Sequence, residues 1–297
     1  MDRDDFIIFV YCLVSDQYEA ITKDRKLRKR GFSPALTDEE VMTIEICGEY
    51  FGLHDDKSIF KYFRKHYQAW FPALKRRTTF VRQAANLWQV KALIQNRLVR
   101  ISGQADDECQ TIDTLPLPVC VYTRSQRDKC FKPDADYGYC AAKDMHYYGF
   151  KLGLRISRAG MITHFPLLPA RPHDIQLLND LLDGFTGTIV ADKGFLDAYR
   201  RDVWAKRGVN IVAETRQNMK QLDIPKPFRR LFKRWRKKIE TVISQLAGRF
   251  AIEQTRAQDL WHYQSRLVRK VLAHTVCVFI SLQMGRPSLD FDSLVSL

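Results

Sequence analysis

The chain has 297 residues and a formal net charge of +14, because 48 Lys and Arg residues outnumber 34 Asp and Glu residues. This length predicts one large domain or two domains of ordinary size. With 45% hydrophobic residues the chain can bury a core, which excludes wholesale disorder. The positive excess predicts a polyanionic partner, with nucleic acid favoured over an anionic membrane surface.

The apolar segments predict neither an export signal nor a membrane span. The longest clean apolar run extends from Phe6 to Val14, well short of the roughly 20 apolar residues that cross a bilayer. The residues before it are acidic, whereas a signal peptide begins with basic residues. The seven cysteines are odd in number and contain no C-x-x-C pair, which favours reduced thiols over a disulfide framework. We therefore expect a cytoplasmic protein.

The first hundred residues have the pattern of a helical domain. Apolar residues recur at helical spacing from Phe6 to Val14, and Thr37 with Glu40 forms a capping-box pattern that opens a second helix through Tyr50. Two more helices are predicted over 58–67 and 79–100. Such a region fits a small DNA-binding module, and it fits equally an accessory domain that packs only on its neighbour, because helix count does not make a recognition helix.

From residue 108 the pattern changes to alternating strands and helices. Pro116 and Pro118 predict that the first strand ends near Asp113, since proline cannot sit in the middle of a sheet. The predicted strands are 110–113, 147–156, 161–168, 188–192 and 209–213, and the predicted helices are 174–182, 196–207 and about 229–250. This order predicts a mixed five-stranded sheet with helices on its faces.

Two aspartates stand at predicted ends of buried strands. Asp113 follows Thr111-Ile112, and Asp192 follows Ile189-Val190-Ala191. A carboxylate at the edge of a core is costly unless it is paired, hydrogen-bonded or metal-bound. Strand ends of this kind converge where open α/β sheets bind ligands. Either residue alone would also suit a turn or helix-capping aspartate, whereas the two together favour a metal site.

Glu240 is the candidate for a third carboxylate. It lies at the margin of the apolar stripe of the last predicted helix, one turn after Arg236, so an ordinary i,i+4 ion pair is the alternative. Glu214 and Glu253 are the rival positions. Three carboxylates suit Mg²⁺, which binds through a few carboxylates and substrate phosphates. Two such ions, about 4 Å apart, support in-line phosphoryl displacement.

The segments around these acids resemble DDE-type transposases of bacterial insertion sequences. The resemblance rests on Asp113 in Ile-Asp-Thr-Leu-Pro-Leu-Pro-Val, on Asp192 in Ala-Asp-Lys-Gly-Phe, and on Arg236 and Glu240 as Arg-x-x-x-Glu. It implies a ribonuclease H-like catalytic domain over 106–275, an all-α N-terminal domain over 1–105 and a C-terminal tail over 276–297. It also implies that Asp113, Asp192 and Glu240 are the catalytic residues and bind two Mg²⁺ ions, for which Mn²⁺ substitutes.

The sequence departs from some of these relatives at two positions. They place Tyr three residues before the Arg and Lys seven residues after the Glu, where this chain has Lys233 and Ala247. These departures concern phosphate contacts and leave the three acids untouched.

A basic segment precedes Glu240. Residues 226–238 contain eight Lys and Arg and no acid. Such residues give sequence-independent, salt-sensitive affinity for phosphates. Trp235 lies among them, and its place in the apolar stripe favours core packing over base stacking. With Lys193, the predicted DNA-binding residues are Arg229, Arg230, Lys233, Arg234, Arg236, Lys237 and Lys238.

The resemblance therefore implies a transposase that cleaves DNA at transposon ends and transfers the freed strand into target DNA, as a homodimer on DNA in the nucleoid. One alternative is a ribonuclease H-like nuclease acting on RNA–DNA hybrids. Another is an inactive derivative that only binds DNA.

Overall fold

The structure is a computed structural model that describes residues 1–23, 27, 33–140, 143–195, 198–213 and 226–295. Within these ranges the side chains of 174, 175, 193, 198 and 226–229 are outside the description. The chain divides into two compact units, one formed by 1–101 with 245–297 and the other by 102–244.

The described ranges contain nine α-helices and seven strands. In chain order they are α1 (Arg3–Thr22), α2 (Asp38–Tyr50), α3 (Asp56–His66), α4 (Arg77–Asn86), α5 (Trp88–Ile101), β1 (Cys109–Val121), β2 (Asp136–Cys140), β3 (Met145–Ile156), β4 (Ile162–His164), β5 (Leu167–Pro169), α6 (Asp174–Leu181), β6 (Gly187–Ala191), α7 (Ala198–Ala205), β7 (Val209–Ala213), α8 (Lys226–Ala247) and α9 (Leu260–Gln283). No helix in the described ranges is both long and apolar enough to cross a membrane.

The first unit is helical, as predicted. The capping box is confirmed, because the Glu40 amide donates to Thr37 Oγ1 at 3.2 Å and the Thr37 amide donates to Glu40 Oε2 at 2.7 Å. The single helix predicted over 79–100 is wrong. It is divided at Leu87, whose amide bonds to the Ala84 carbonyl three residues back. Neither Gly nor Pro stands at this break, so the sequence pattern runs through it.

The C-terminal segment belongs to this helical unit. Helix α9 packs against α2, α4 and α5, so 245–297 lies with the N-terminal helices. The first division, after Ile101, is close to the predicted boundary at 105. The second differs from the predicted boundary at 275 because the apolar α9 needs the helical layer to bury its surface.

Buried ion pairs hold the helices of this unit together. The fully buried guanidinium of Arg269 on α9 donates to Glu49 Oε1 at 2.7 Å and to Asp56 Oδ1 at 2.6 Å. Lys91 on α5 donates to Glu45 on α2 at 2.8 Å. Burial alone would raise the pKa of Asp56, but Arg269 and Arg266 lower it to about 2. The Asp56 carboxylate is therefore charged in the folded unit at neutral pH, and the two arginines compensate its charge.

The second unit contains one mixed sheet with the order β2-β3-β1-β6-β7. Strand β1 is antiparallel to β3 and parallel to β6, and β6 is parallel to β7. The predicted mixed sheet flanked by helices is confirmed, and it has seven strands because β2 was not predicted and the segment 161–168 is divided. Pro166 lies at that division, where β4 ends and β5 has not begun. A core of Leu177, Leu181, Ile189 and Ile211 joins α6 to β6 and β7.

The predicted end of the first strand at Asp113 is wrong. Strand β1 continues to Val121, with Pro116 opposite Lys151 and Pro118 opposite Gly149 of β3. Strand β6 pairs with β1 only as far as Thr111. Beyond Thr111 β1 pairs with β3 alone, so its other side is like that of an edge strand. A proline, which lacks an amide hydrogen, is tolerated there because no strand on that side needs the hydrogen bond.

The buried ion pairs generate a stability prediction. We expect Arg269→Met to lower the free energy of unfolding by about 3–5 kcal/mol, because it leaves Glu49 and Asp56 buried without their cation. The exposed Arg100 on α5 is the matched control, for which Arg100→Met should change little. Urea unfolding of both variants measures the difference, and equal stabilities would contradict the structural role given to Arg269.

Candidate active site

The register between β1 and β6 aligns the two aspartates. Cys109 pairs with Thr188, Gln110 with Ile189 and Thr111 with Val190. Continued by two residues, this parallel register sets Asp113 level with Asp192. Neighbouring strands lie about 4.8 Å apart, so the two backbones are close at this level of the sheet.

Asp113 lies within β1, at the level where the ladder to β6 has ended. Its side chain is half-buried, and its Oδ1 accepts a hydrogen bond from the Thr114 amide at 2.7 Å. The flanking residues Ile112 and Leu115 are buried in the unit. Asp113 is therefore a half-buried polar residue inside β1, flanked by packed apolar residues.

Asp192 directly follows the buried strand β6, as predicted. Its carbonyl accepts the Phe195 amide at 3.0 Å, which starts a short 3₁₀ turn over Lys193–Phe195. Its Oδ1 lies 3.0 Å from Nη2 of Arg236 on α8. Both side chains are partly exposed, so this ion pair stabilises the fold by no more than about 1 kcal/mol. It nevertheless places the positive charge of Arg236 beside the Asp192 carboxylate.

Helix α8 carries Glu240 beside this ion pair. Phe232, Ile239, Val242 and Leu246 are its buried stripe. Arg236 flanks that stripe, and the exposed Glu240 follows one turn later on the same flank. Leu231, next to Phe232, lies outside this stripe and is 40% exposed.

The three predicted acids differ in how far they come together. Asp113 and Asp192 share a level of the sheet, and Glu240 lies on the helix that reaches Asp192 through Arg236. No group of three His, Cys, Asp or Glu side chains within the described ranges is arranged to hold a metal ion. The rival Glu214 lies outside the described residues, and Glu253 belongs to the helical unit.

The donor types fit a hard cation at the two aspartates. Carboxylate oxygens are the protein ligands that Mg²⁺ prefers. Two carboxylates at one level of adjacent strands repel one another unless a cation lies near them. In the structure Arg236 is such a cation for Asp192.

The predicted basic residues fall into three groups. The side chains of Lys193 and Arg229 lie outside the described residues. Four are exposed, namely Arg230, Lys233, Arg234 and Lys237. The other two are engaged in contacts with the sheet, since Arg236 pairs with Asp192 and Lys238 donates to the Arg158 carbonyl at 2.5 Å.

The contact of Lys238 is part of a hydrogen-bonded group of Asp107, Arg158 and Lys238, called the clamp below, which the sequence analysis missed. Asp107 is buried just before β1, and its two oxygens accept the Arg158 amide at 2.6 Å and Arg158 Nε at 2.7 Å. Burial lowers the pKa of Lys238, and the neighbouring Arg234 lowers it further. The clamp thus links α8 to the turn after β3. An Asp-Asp-Glu run at 106–108 is the only signal in the sequence, and it does not mark which acid is buried.

Comparisons with known proteins point to one family. A family model described as a transposase DDE domain matches residues 103–260, slightly more than half of the chain, and the match includes all three acids. No curated protein matches the chain. Among solved structures, the cryo-EM structure of a piggyBac transposase synaptic complex with hairpin DNA is similar at 9% identity and a TM-score of 0.39, over 100% of this chain and 86% of that one. This similarity is too low to establish a common fold.

The clamp generates a prediction for Asp107. We expect Asp107→Ala to lower the free energy of unfolding by about 2 kcal/mol, because the exposed Arg158 loses both of its hydrogen bonds to the buried carboxylate. Its neighbour Asp106 is exposed, and Asp106→Ala should have little effect. Thermal and urea unfolding measure both, and an Asp107→Ala protein as stable as the wild type would refute the clamp.

Proposed function

The chain belongs to the DDE transposase family, and from this premise we propose that it cleaves DNA at transposon ends and transfers the freed strand into target DNA, as the transposase of a bacterial insertion sequence. The observation that carries the proposal is the β1–β6 register, which pairs Thr111 with Val190. Continued by two residues, this register would bring Asp113 and Asp192, whose segments resemble the family motif, to one level of adjacent strands.

Asp113, Asp192 and Glu240 are the proposed catalytic residues and metal ligands. Two Mg²⁺ ions, or Mn²⁺ in their place, would supply charge neutralisation at the attacking and leaving oxygens of an in-line displacement. The chain's own part is to hold Asp113 and Asp192 on adjacent strands and to present Glu240 from α8. Arg236 lies beside Asp192, so its guanidinium also provides a donor for a phosphate oxygen brought to the same edge.

The exposed cations of α8 are the proposed DNA-binding surface, together with Lys193 and Arg229. Arg230, Lys233, Arg234 and Lys237 neutralise phosphates without reading sequence. Because two transposon ends must be brought together, we propose a homodimer on DNA, acting in the bacterial nucleoid.

Replacing the acids one at a time tests the proposed catalysis. We expect Asp113→Asn, Asp192→Asn and Glu240→Gln each to reduce Mg²⁺-dependent cleavage of end-bearing DNA by about a hundredfold or more, since each removes a charge required in the transition state. Binding of the same DNA should persist. The exposed Asp202 on α7 is the control, and Asp202→Asn should cleave normally.

The outcomes of this assay separate the alternatives. Undiminished cleavage by any one variant removes that residue from the catalytic set. Activity on RNA–DNA hybrids with no need for terminal repeats would favour the nuclease. Metal-independent binding without strand cleavage by the wild type would favour an inactive derivative.

A neighbouring pair of lysines tests the binding surface. We expect Lys237→Ala to weaken duplex binding and to reduce the slope of log K against log salt by about 0.9, the value for one phosphate contact. Lys238→Ala should reduce the slope less, because its ammonium already contacts the Arg158 carbonyl. Fluorescence anisotropy across a salt series measures both slopes, and a larger effect of Lys238 would contradict the assignment.

A further inference from the structure

One face of the β2–β3 strand pair exposes aromatic rings. Tyr137 and Tyr139 on β2 stand opposite Tyr148 and His146 on β3, and directly opposed residues share a face. Tyr122, which follows β1, joins them. Its side chain is 54% exposed, compared with 42% for Tyr137 and 52% for Tyr139. Tyr122, Tyr137, Tyr139 and His146 are called the tyrosine face below.

The rings of the tyrosine face form a connected group. Their centroids are 4.8 Å apart for Tyr139 and His146, 6.0 Å for His146 and Tyr122, and 5.4 Å for Tyr122 and Tyr137. Tyr137 in turn lies 5.2 Å from the buried Tyr148. The rings therefore stand next to one another on one surface of the sheet.

Hydrogen bonds orient two of these rings by their hydroxyl groups. The Tyr139 hydroxyl donates to Asp144 Oδ1 at 2.7 Å, and Ser125 Oγ donates to the Tyr137 hydroxyl at 3.1 Å. Each bond engages the edge of a ring, and both rings remain partly exposed. Contiguous exposed apolar surface of this kind marks an interaction site.

The charge around the tyrosine face selects among DNA forms. Residues 122–146 contain five Lys and Arg and four Asp, so the region lacks the strong positive field that duplex backbones require. Arg124 and Arg127 are exposed in the 3₁₀ helix Tyr122–Arg127, and within the described residues neither forms an ion pair. Two cations beside several rings suit a single strand, whose bases stack on aromatic side chains while its phosphates meet Arg.

We propose that the tyrosine face binds unpaired bases of the DNA on which the catalytic acids act. This proposal rests on the proposed function, because it takes the substrate to be DNA that is partly single-stranded. Strand β1 carries Asp113 and ends at Val121, next to Tyr122. At about 3.3 Å per residue the two places lie about 25 Å apart along one strand. The tyrosine face would bind DNA strands that are unpaired about 25 Å from the phosphate that is cleaved.

Binding of a short single-stranded oligonucleotide that contains 2-aminopurine tests the proposal in the full chain. Stacking on tyrosine quenches this probe, so the wild type should bind it with quenching. We expect the double variant Tyr137→Ala, Tyr139→Ala to bind it about tenfold more weakly or worse, the loss expected for one or more stacked bases. Affinity for a blunt duplex of the same sequence should stay within about twofold.

Two further variants control for folding and for ring chemistry. Tyr139→Phe keeps the π-face and loses the bond to Asp144, so it should still quench the probe. Tyr199→Ala removes a more exposed tyrosine on α7, 75% exposed, and should bind as the wild type does. Unchanged single-strand affinity in the double variant would overturn the proposal. So would equal losses for single strand and duplex, or a change in oligomeric state as the sole effect.

This experiment is independent of cleavage. If Asp113→Asn abolishes cleavage but quenches the probe normally, both proposals stand. If the wild type never cleaves DNA and the tyrosine variants still lose single-strand binding, the proposed function fails, and the tyrosine face keeps its single-strand binding without the link to catalysis.

Discussion

The proposed active site depends on the parallel pairing of β1 with β6. Three ladder pairs, ending at Thr111 and Val190, set the level at which the two strands continue. Asp113 and Asp192 come two residues later, after buried segments that cannot shift without moving their side chains to the opposite face of the sheet. A slip of a single residue would separate the two carboxylates, so the proposed active site depends on this register more than on any single contact.

Helix α8 completes this arrangement through two polar contacts of different strength. Arg236 pairs with Asp192 in a partly exposed setting, which makes it weak and exchangeable. Lys238 bonds to the Arg158 carbonyl, and Arg158 is held in turn by the buried Asp107. Both contacts add to the buried stripe of α8, and Glu240 follows Arg236 by one turn on that helix.

Much of this organisation could be predicted from the sequence, for identifiable physical reasons. Asp192 was predicted at a strand end because an apolar strand followed by Asp-Lys-Gly leaves little choice, and Glu240 was predicted at the margin of its stripe from helical period alone. The extent of β1 was mispredicted because proline is excluded only where both edges of a strand are paired, and a sequence does not show which edge is free.

The break at Leu87 and the burial of Asp107 were missed because tertiary packing, and no local residue type, produces them. Strand β2 was missed because its short Tyr-Gly-Tyr core lies among turn-forming residues, and the tyrosine face was missed with it.

Crystals grown with Mn²⁺ test the central claim most directly, through the anomalous scattering of the ion. The account predicts an anomalous peak bound by carboxylate oxygens of both Asp113 and Asp192, with Glu240 turned towards it, and loss of that peak in Asp192→Asn. A peak elsewhere in the protein, or carboxylates of Asp113 and Asp192 too far apart to share one ion, would contradict it.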